Sequence, residues 1–226
     1  MDQSSLIDRL RGIPYFNGLD NASLQKLAEL ATWHEYAPGA IIFRESEANS
    51  GLLGIQTGWM KLVKYSGDGR EQVLRYLGPG DAFNEIAMFL SRPNPATAIA
   101  LEQVVLWQLH RTIIQPLMVA HPELLLQVMV GMADRIAYLA ELVADLSFLT
   151  VEVRLARLLL DAAPDDALVR QVWLTQAEMA ARLGTVPDVL NRALRTLSDA
   201  GLIRVDRRQI TILDRGRLRQ RAQLTA

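Results

Sequence analysis

Two polar side chains near the C-terminus have the types and spacing needed to contact the edges of DNA bases. Arg192 carries a forked guanidinium that can donate to O6 and N7 of guanine together, and the Asp188 carboxylate can accept from the amino group of cytosine. A spacing of four residues places these two side chains on one face of a helix. Asn191 and Arg195 share this outward side. The apolar residues between them face inward, namely Val189, Leu190, Ala193 and Leu194.

Two short amphipathic helices are predicted to hold this polar face in position. Apolar residues recur at helical spacing between Met179 and Leu197. Thr175 and Glu178 form a capping box that fixes the start of the first helix, and Gly184 suits the left-handed conformation that ends it. Proline is tolerated in the first turn of a helix, so the second helix begins at Pro187. The pattern is that of a helix-turn-helix, whose second helix enters the DNA major groove.

A wing is predicted after the second helix. Residues 201–213 alternate like two short strands around Arg207 and Arg208. The charge distribution agrees with a C-terminal part that faces nucleic acid, because residues 150–226 contain 13 arginines against 9 acidic residues. The preceding part contains 11 basic and 16 acidic residues, so the formal net charge of −1 hides a local asymmetry.

The composition of the 226-residue chain narrows the possible classes of function. It contains no cysteine, which excludes disulfides, thiolate zinc sites and cysteine-ligated iron–sulfur clusters. No apolar run approaches the length of a membrane span, and the first residues lack the basic start and apolar core of a signal peptide. We therefore expect a soluble cytoplasmic protein without a membrane partner. No nucleophile–base pair, phosphate-binding glycine loop or metal cluster is apparent, so we expect neither enzymatic activity nor a metal site.

The first half of the chain is predicted to form an all-β roll after two helices. Residues 4–12 and 20–33 have helical apolar spacing, and Asp20 is suited to cap the second helix. Short alternating segments separated by glycine- and proline-containing turns then indicate an antiparallel roll or barrel. The predicted strands are Ala40–Phe43, Leu52–Thr57, Met60–Tyr65, Gln72–Leu77, Thr97–Leu101 and Val104–Leu109. Residues 110–123 are predicted to be helical, with breaks before Pro116 and Pro122.

A long helix from about Glu123 to Ser147 is predicted to pair two copies of the chain. Its apolar residues are alternately four and three positions apart, which is the 3.5-residue repeat of a coiled-coil seam. Such a helix could instead pack only on its own domain, but the narrow stripe and the frequency of two-fold homodimers favour a dimer. The predicted interface contains Leu125, Met129, Met132, Ile136, Leu139, Val143 and Leu146. A hinge follows at residues 148–150, where Thr150 can cap a new helix over Val151–Ala162.

The order of these elements resembles the family of the cyclic-AMP receptor protein and the fumarate–nitrate reduction regulator, CRP/FNR. The likeness covers nearly the whole chain and is most specific at Tyr36–Phe43 (YAPGAIIF), Gly78–Phe89 (GPGDAFNEIAMF), Phe148–Val151 and Thr175–Arg192. It implies an α+β fold with an N-terminal antiparallel β-roll like a cyclic-nucleotide-binding domain (residues 1–122), a long dimerisation helix (123–147) and a C-terminal winged helix-turn-helix (148–226). It also implies a homodimeric transcription regulator that binds an inverted repeat of double-stranded DNA and contacts RNA polymerase. An effector bound inside the roll would reorient the DNA-binding domains.

The resemblance assigns DNA contacts residue by residue. Arg192 occupies the position of the family's guanine-reading arginine, and Asp188 that of its glutamate, which is one methylene longer. Pro187 replaces a residue that reads a further base in some members. A further set of arginines is assigned to phosphates or to no contact, since phosphate contacts position a protein without reading sequence. This set is Arg182, Arg195, Arg204, Arg207 and Arg208. The predicted DNA-binding set is Thr175, Gln176, Pro187, Asp188, Asn191, Arg192, Arg195, Arg207 and Arg208.

The predicted effector pocket departs from the family's cyclic-nucleotide cassette. Glu85 is kept, but Asn84 replaces the preceding glycine, and Pro95-Ala96 stands where Arg-Ser would bind a cyclic phosphate. A buried phosphate without a cationic partner is strongly unfavourable. The long-helix positions that contact adenine, usually Thr-Ser, are here Leu139-Ala140. We therefore expect an effector other than cyclic AMP. Arg92 could supply a cation only by moving its proline-stiffened loop, and Glu85 is either a ligand contact or a structural carboxylate. The predicted pocket comprises Asn84, Glu85, Ile86, Arg92, Ala96, Thr97 and Leu139.

Two alternatives to this description remain open at the sequence level. The cassette FNEIAMF, followed by Pro95-Ala-Thr-Ala, resembles the dissimilatory nitrate respiration regulators, so a haem-based sensor of nitric oxide or carbon monoxide is one alternative. Its axial ligand would come from His34, His110, His121 or a methionine, although a surface or capping role is the preferred assignment for each histidine. The other alternative keeps the roll as a sensor but has the winged helix contact protein instead of DNA.

Overall fold

Two four-stranded antiparallel sheets follow the N-terminal helices in the computed structural model, which describes residues 3–48, 51–85, 92–169 and 171–223. The strands are β1 (Thr32–Tyr36), β2 (Ile41–Phe43), β3 (Gly51–Thr57), β4 (Met60–Tyr65), β5 (Glu71–Leu77), β6 (Ala82–Phe83), β7 (Thr97–Ala100) and β8 (Val104–His110). One sheet has the order β1-β8-β3-β6 and the other the order β2-β7-β4-β5. Residues such as Ile55, Met60 and Leu106 are fully buried in one core of the roll, so the predicted antiparallel roll is confirmed.

Two helices precede the roll, and the second is shorter than predicted. They are α1 (Gln3–Gly12) and α2 (Asn21–Leu30), with a short 3-10 helix at Pro14–Phe16 between them. Asp20 caps α2 by accepting a hydrogen bond from the Ser23 amide at 2.8 Å. The prediction of helix to residue 33 is wrong, because the chain from Thr32 pairs with β8 as strand β1. β1 contains a threonine and two aromatic residues, types that favour strands, and its pairing with β8 outweighs the local helical pattern.

Two helices follow the roll and are sharply bent relative to each other. They are α3 (Arg111–Ala120) and α4 (Pro122–Phe148), and they are bent by 114° relative to each other at His121. The predicted break before Pro122 is confirmed, but the one before Pro116 is wrong. Pro116 has no amide hydrogen to donate to the carbonyl of residue 112, so the helix loses that hydrogen bond. The buried side chains of Ile114 and Met118 stabilise the helix on either side of it. Among the described helices, none is by itself long and apolar enough to cross a membrane, and only this bent pair taken together meets such a test.

The C-terminal part has its own hydrophobic core. Its elements are α5 (Val151–Ala162), β9 (Ala167–Val169), α6 (Gln176–Arg182), α7 (Pro187–Asp199), β10 (Ile203–Val205), β11 (Gln209–Ile212) and α8 (Arg215–Arg221). Leu155, Leu159, Leu190 and Leu197 are fully buried in this core. β9 pairs with β11 and so adds a third strand to the hairpin of β10 and β11. Neither β9 nor α8 was predicted from the sequence. The fold is α+β with a β-roll, a long helix and a winged helix-turn-helix, as predicted.

The chain divides into two compact units. The first contains Met1–Lys64 and Leu74–Tyr138, and the second contains Tyr65–Val73 and Leu139–Ala226. Within the second unit, the end of α4 is tied to the helices that follow. Thr150 caps α5 by accepting from the Val153 amide, and Arg157 of α5 pairs with Asp145 of α4 at 2.7 Å. Arg157 also donates to the carbonyl of Ala222 at 3.0 Å, so one guanidinium joins α4, α5 and the end of α8.

Candidate functional site

The turn of the helix-turn-helix has the geometry that its sequence predicts. The Thr175 hydroxyl accepts from the Glu178 amide at 3.2 Å and caps α6. Gly184 follows α6 with a φ of +62°, a conformation that residues with a Cβ rarely adopt. A Cβ at Gly184 would also lie 2.5 Å from Cδ2 of Leu146, so the turn packs closely on the end of α4. Pro187 then begins α7, as expected for a first-turn proline.

α7 has one fully buried face and one exposed polar face. Leu190 and Leu197 are completely buried, whereas Asp188, Arg192 and Arg195 are exposed and Asn191 is half-buried. The guanidinium groups of Arg192 and Arg195 form no ion pair or hydrogen bond with any other described residue. The predicted contacts at the helix starts, Thr175, Gln176 and Pro187, are also exposed. This face is therefore free to bind an external partner.

The wing carries three further exposed arginines. β10 and β11 pair in antiparallel register, with Arg204 opposite Thr211, and Arg207 and Arg208 lie in the connection between them. Arg204 is 3.5 Å from Asp206, but both connecting arginines lack a partner among the described residues. Their exposure leaves two positive charges available to phosphates.

The described residues of the chain leave an apolar stripe along α4 exposed. Ile136 and Met129 are 67% and 65% exposed, although they are aliphatic side chains in the middle of a helix. Leu125, Met132, Leu139 and Val143 on the same stripe are exposed as well. The other side of the helix differs, because Leu124 and Val128 are buried in the core of the first unit. Leu146 is only half exposed, since it packs on Gly184 of its own chain.

Glu85 lies at the centre of a buried hydrogen-bonded triad. Its side chain is almost fully buried, yet each carboxylate oxygen has a partner from a different element. Arg135 of α4 donates to Oε2 at 2.5 Å, and the hydroxyl of Tyr15 in the 3-10 helix donates to Oε1. Burial, followed by the negative charge of Glu85, raises the pKa of Tyr15 well above its ordinary value. The triad satisfies the buried carboxylate, as buried charges require.

The residue before Glu85 shows how the chain accommodates the missing family glycine. Asn84 has a φ of +73°, in the left-handed region. Asparagine tolerates this conformation better than other residues with a side chain, and here its amide group also donates to the Gly51 carbonyl at 2.9 Å. The substitution therefore keeps the backbone path that a glycine would allow.

The other predicted pocket residues are not all brought to Glu85. Ala96 and Thr97 are buried, and the Thr97 hydroxyl accepts from the Glu45 amide at 3.0 Å. Arg92 is exposed and forms no ion pair with Glu85. Leu139 belongs to the second unit, and Ile86 lies outside the described residues.

Two residues of the triad, Tyr15 and Arg135, were missed by sequence reasoning. The available signal was Gly131, four residues before Arg135 on the same face of α4. A glycine inside a helix costs about 1 kcal/mol relative to alanine, so its presence indicates a close neighbour. That neighbour is Tyr15, because a Cβ at Gly131 would lie 3.0 Å from Cε1 and 3.3 Å from the hydroxyl of its ring.

An open cleft of about 500 Å³ lies beside the triad. Residues 13–15, the roll and α4 form its walls. Arg75 pairs across it with Asp81 at 3.0 Å, and the exposed Asp134 forms no ion pair with a described residue. The α4 residues that line it are Gln127, Val130, Gly131, Asp134, Arg135 and Tyr138. None of them belongs to the exposed stripe, so the cleft and the stripe use different faces of the helix.

The histidines occupy three separate hydrogen-bonded positions. Nε2 of His34 is 3.1 Å from Oε1 of Gln108, His110 caps α3 at the Thr112 amide, and Nδ1 of His121 is 3.1 Å from Glu123. No histidine lines the cleft beside the triad or a second cleft of about 440 Å³ between α2 and α3.

Comparison with known proteins gives matches over both parts of the chain. A family model described as a cyclic nucleotide-binding domain matches residues 33–121, and one described as a Crp-like helix-turn-helix domain matches residues 153–221. The CRP-like cAMP-activated global transcriptional regulator of Mycobacterium tuberculosis is 28% identical over 214 residues, which cover 92% of this chain and 96% of that protein. The cAMP-activated global transcriptional regulator CRP of an Escherichia coli strain is 25% identical over 189 residues, or 79% of this chain and 88% of that protein.

A solved structure extends the likeness to the fold. FixK2 from Bradyrhizobium japonicum superposes with a TM-score of 0.75 at 20% identity, covering 87% of this chain and 99% of that chain. The two family models together match more than half of the chain, in the order in which the roll and the winged helix-turn-helix occur. The chain belongs to the CRP/FNR family of transcription regulators.

Proposed function

We propose that the chain is a dimeric, sequence-specific DNA-binding regulator that responds to an effector other than cyclic AMP. The observation that carries DNA binding is the exposed face of α7, where the guanidinium groups of Arg192 and Arg195 are free above a buried apolar face. In this proposal Arg192 reads a guanine and Asp188 accepts from a cytosine amino group. Arg207 and Arg208 of the wing contact phosphates.

A gel shift on a random duplex pool tests DNA binding directly. The logarithm of the binding constant should fall linearly with the logarithm of salt concentration, with a slope of about −0.9 for each phosphate contacted. A winged helix that contacts protein instead would give no salt-sensitive binding to the duplex pool.

We propose that two chains pair through the exposed stripe of α4. Pairing would remove from water aliphatic side chains such as Ile136 and Met129, which one chain alone leaves exposed. The two recognition helices would then meet successive major grooves, so the operator should be an inverted repeat with half-site centres roughly 34 Å apart. Sedimentation at micromolar concentration should give twice the chain mass of 25.2 kDa, and a monomer would contradict the pairing.

We propose that cyclic AMP is not the effector. Both oxygens of Glu85 already have donors in Tyr15 and Arg135. Pro95-Ala96 supplies no cation for a phosphate, and the exposed Arg92 is not paired with Glu85. Calorimetry with cyclic AMP should therefore show no saturable heat, and tight stoichiometric binding would contradict this proposal.

The family assignment supports three further parts of the proposal. The regulator would act in the cytoplasm and contact RNA polymerase at the promoter. Its domains would be residues 1–122, 123–147 and 148–226. Limited proteolysis should cut near residues 148–150 if the hinge there separates two folded parts. Retention of RNA polymerase on operator DNA only when the chain is present tests the polymerase contact.

A further inference from the structure

We propose that the cleft between α2 and α3 is a second ligand site, which takes a small carboxylic acid with an apolar body. The cleft lies within the first unit and shares no lining residue with the cleft beside Glu85. The carboxylate of the ligand would pair with Lys26, and its apolar body would cover aliphatic side chains of both helices. This inference goes beyond the proposed function and does not depend on DNA binding.

The two helices that form the cleft run antiparallel to each other. β1 follows α2 and pairs with β8, which precedes α3, so the end of α2 lies near the start of α3. The start of α2 lies near the end of α3, because the pKa of Asp20, the cap of α2, is lowered first by hydrogen bonds from Ser23 and also by His121, the residue after α3. The cleft therefore runs from Lys26, beside the end of α3, toward Leu30, beside its start.

α2 lines the cleft with a face that is polar at one end and apolar at the other. The residues of α2 that line it share one side of the helix, namely Ser23, Lys26, Leu27 and Leu30. Leu27 is buried, but Leu30 remains 44% exposed. An apolar ligand body that covered Leu30 would be stabilised by the removal of this side chain from water.

α3 provides the opposite wall, which is also largely apolar. Its lining residues are Thr112, Ile113, Pro116 and Leu117. Ile113 and Leu117 pack against the core of the first unit, which holds this wall in place, and the exposed ring of Pro116 adds a rigid apolar surface. The volume of about 440 Å³ is within the range of small-molecule sites.

Lys26 determines the charge of the ligand. It is the only charged residue among those that line the cleft, and it forms no ion pair or hydrogen bond with another described residue. An ammonium group and a carboxylate form a charge-assisted hydrogen bond, and one cation balances one carboxylate. An amine would be repelled, and a phosphate monoester would keep a second charge without a partner. Lys26 and Leu30 are about 6 Å apart along the helix axis, so an unbranched acid can pair with the first and cover the second.

Calorimetry with octanoate on the full chain tests this site. Octanoate should give saturable heat with one site per chain. Lys26→Met should lower the affinity for octanoate about fivefold, as expected for an exposed ion pair, and leave the affinity for 1-octanol unchanged. Lys64→Met is the matched control, because Lys64 is an exposed lysine that pairs with Glu45 and does not line the cleft. The absence of saturable octanoate binding, or equal octanoate affinity in wild type and Lys26→Met, would overturn the proposal.

Two glutamate variants test whether octanoate binds in this cleft. Leu30→Glu places a carboxylate in the apolar wall and should lower octanoate affinity about tenfold or more. Val119→Glu should bind octanoate as wild type, since Val119 is an exposed residue of α3 that does not line the cleft. Equal octanoate affinity in the two variants would overturn the location of the site.

Hydrogen exchange locates the bound ligand without a substitution. Saturating octanoate should slow amide exchange in residues 23–30 and 112–117, because a ligand that binds only the folded state stabilises it. Residues 127–135 of α4, which line the other cleft, should exchange at the rate of the free chain. Slower exchange in residues 127–135, with no change in residues 23–30, would show that octanoate binds the other cleft and would overturn the proposal.

Discussion

Replacing Arg192 with alanine should remove one base preference and leave the fold intact. The Arg192 guanidinium has no partner within the described chain, so its removal breaks no interaction in the free protein. Alanine is also a better helix former than arginine, so α7 should be at least as stable as before. Any change in operator affinity therefore reports the interaction with DNA rather than damage to the protein.

The expected loss is about 1–3 kcal/mol per half-site, the usual value of a bidentate arginine–guanine pair. A two-fold dimer binds two half-sites, so the operator should lose about 2–6 kcal/mol, or roughly 30-fold in affinity at the lower bound. Binding-site selection on Arg192→Ala should show relaxed preference at a single G·C pair in each half-site and wild-type preference elsewhere.

Arg207→Ala is the matched control, since Arg207 is an exposed and unpaired arginine of the wing. It should weaken binding to all sequences alike and reduce the salt slope by about one for each phosphate that the variant no longer binds. If Arg192→Ala keeps the full base preference while Arg207→Ala loses it, then the recognition surface is the wing and not α7.

Three further substitutions test the stripe, the cap and the cassette turn. Ile136→Glu should place two carboxylates in the α4 seam and dissociate the dimer at a cost of roughly several kcal/mol, whereas Val119→Glu on exposed α3 should sediment as wild type. A monomeric wild type or a dimeric Ile136→Glu would contradict the seam. Thr175→Ala should lower unfolding free energy by about 1 kcal/mol in denaturant titrations, with Thr175→Ser close to wild type; equal losses would exclude a capping role. Asn84→Ala should lower it by about 1–2 kcal/mol because alanine disfavours a φ of +73°, whereas Asn84→Gly should melt near wild type. An Asn84→Ala chain as stable as wild type would contradict the strain argument.

The helix-turn-helix was predictable because its signals are local. Thr175, Gly184 and Pro187 each determine the conformation of their own neighbourhood, and the structure has all three in those roles. The two strands of the roll that were missed lack such signals. Only Ala31 separates β1 from α2, so no glycine or proline marks the boundary, and β6 is only two residues long. Both are defined by their pairing with distant strands rather than by their own sequence.

The triad was not predictable for the same reason. Tyr15 is 70 positions from Glu85, and Arg135 is 50 positions from it on the other side. No periodicity links residues so far apart, and only folding brings them together. The sequence therefore does not reveal the partners of the Glu85 carboxylate. Gly131 alone gives a local indication, namely that a side chain packs tightly on α4.

The composition of the α4 stripe has a consequence for which chains can pair with each other. Coiled coils commonly choose partners through a polar residue in the seam or through charges on its flanks. The proposed seam is entirely apolar, and its flanking positions are Leu126, Val128, Ala133, Arg135, Ala140, Leu142 and Ser147. The only charge in that set, on Arg135, is already bound to Glu85. Co-expression with a second regulator that bears a similar stripe should therefore yield mixed dimers, whose operators would combine two different half-sites.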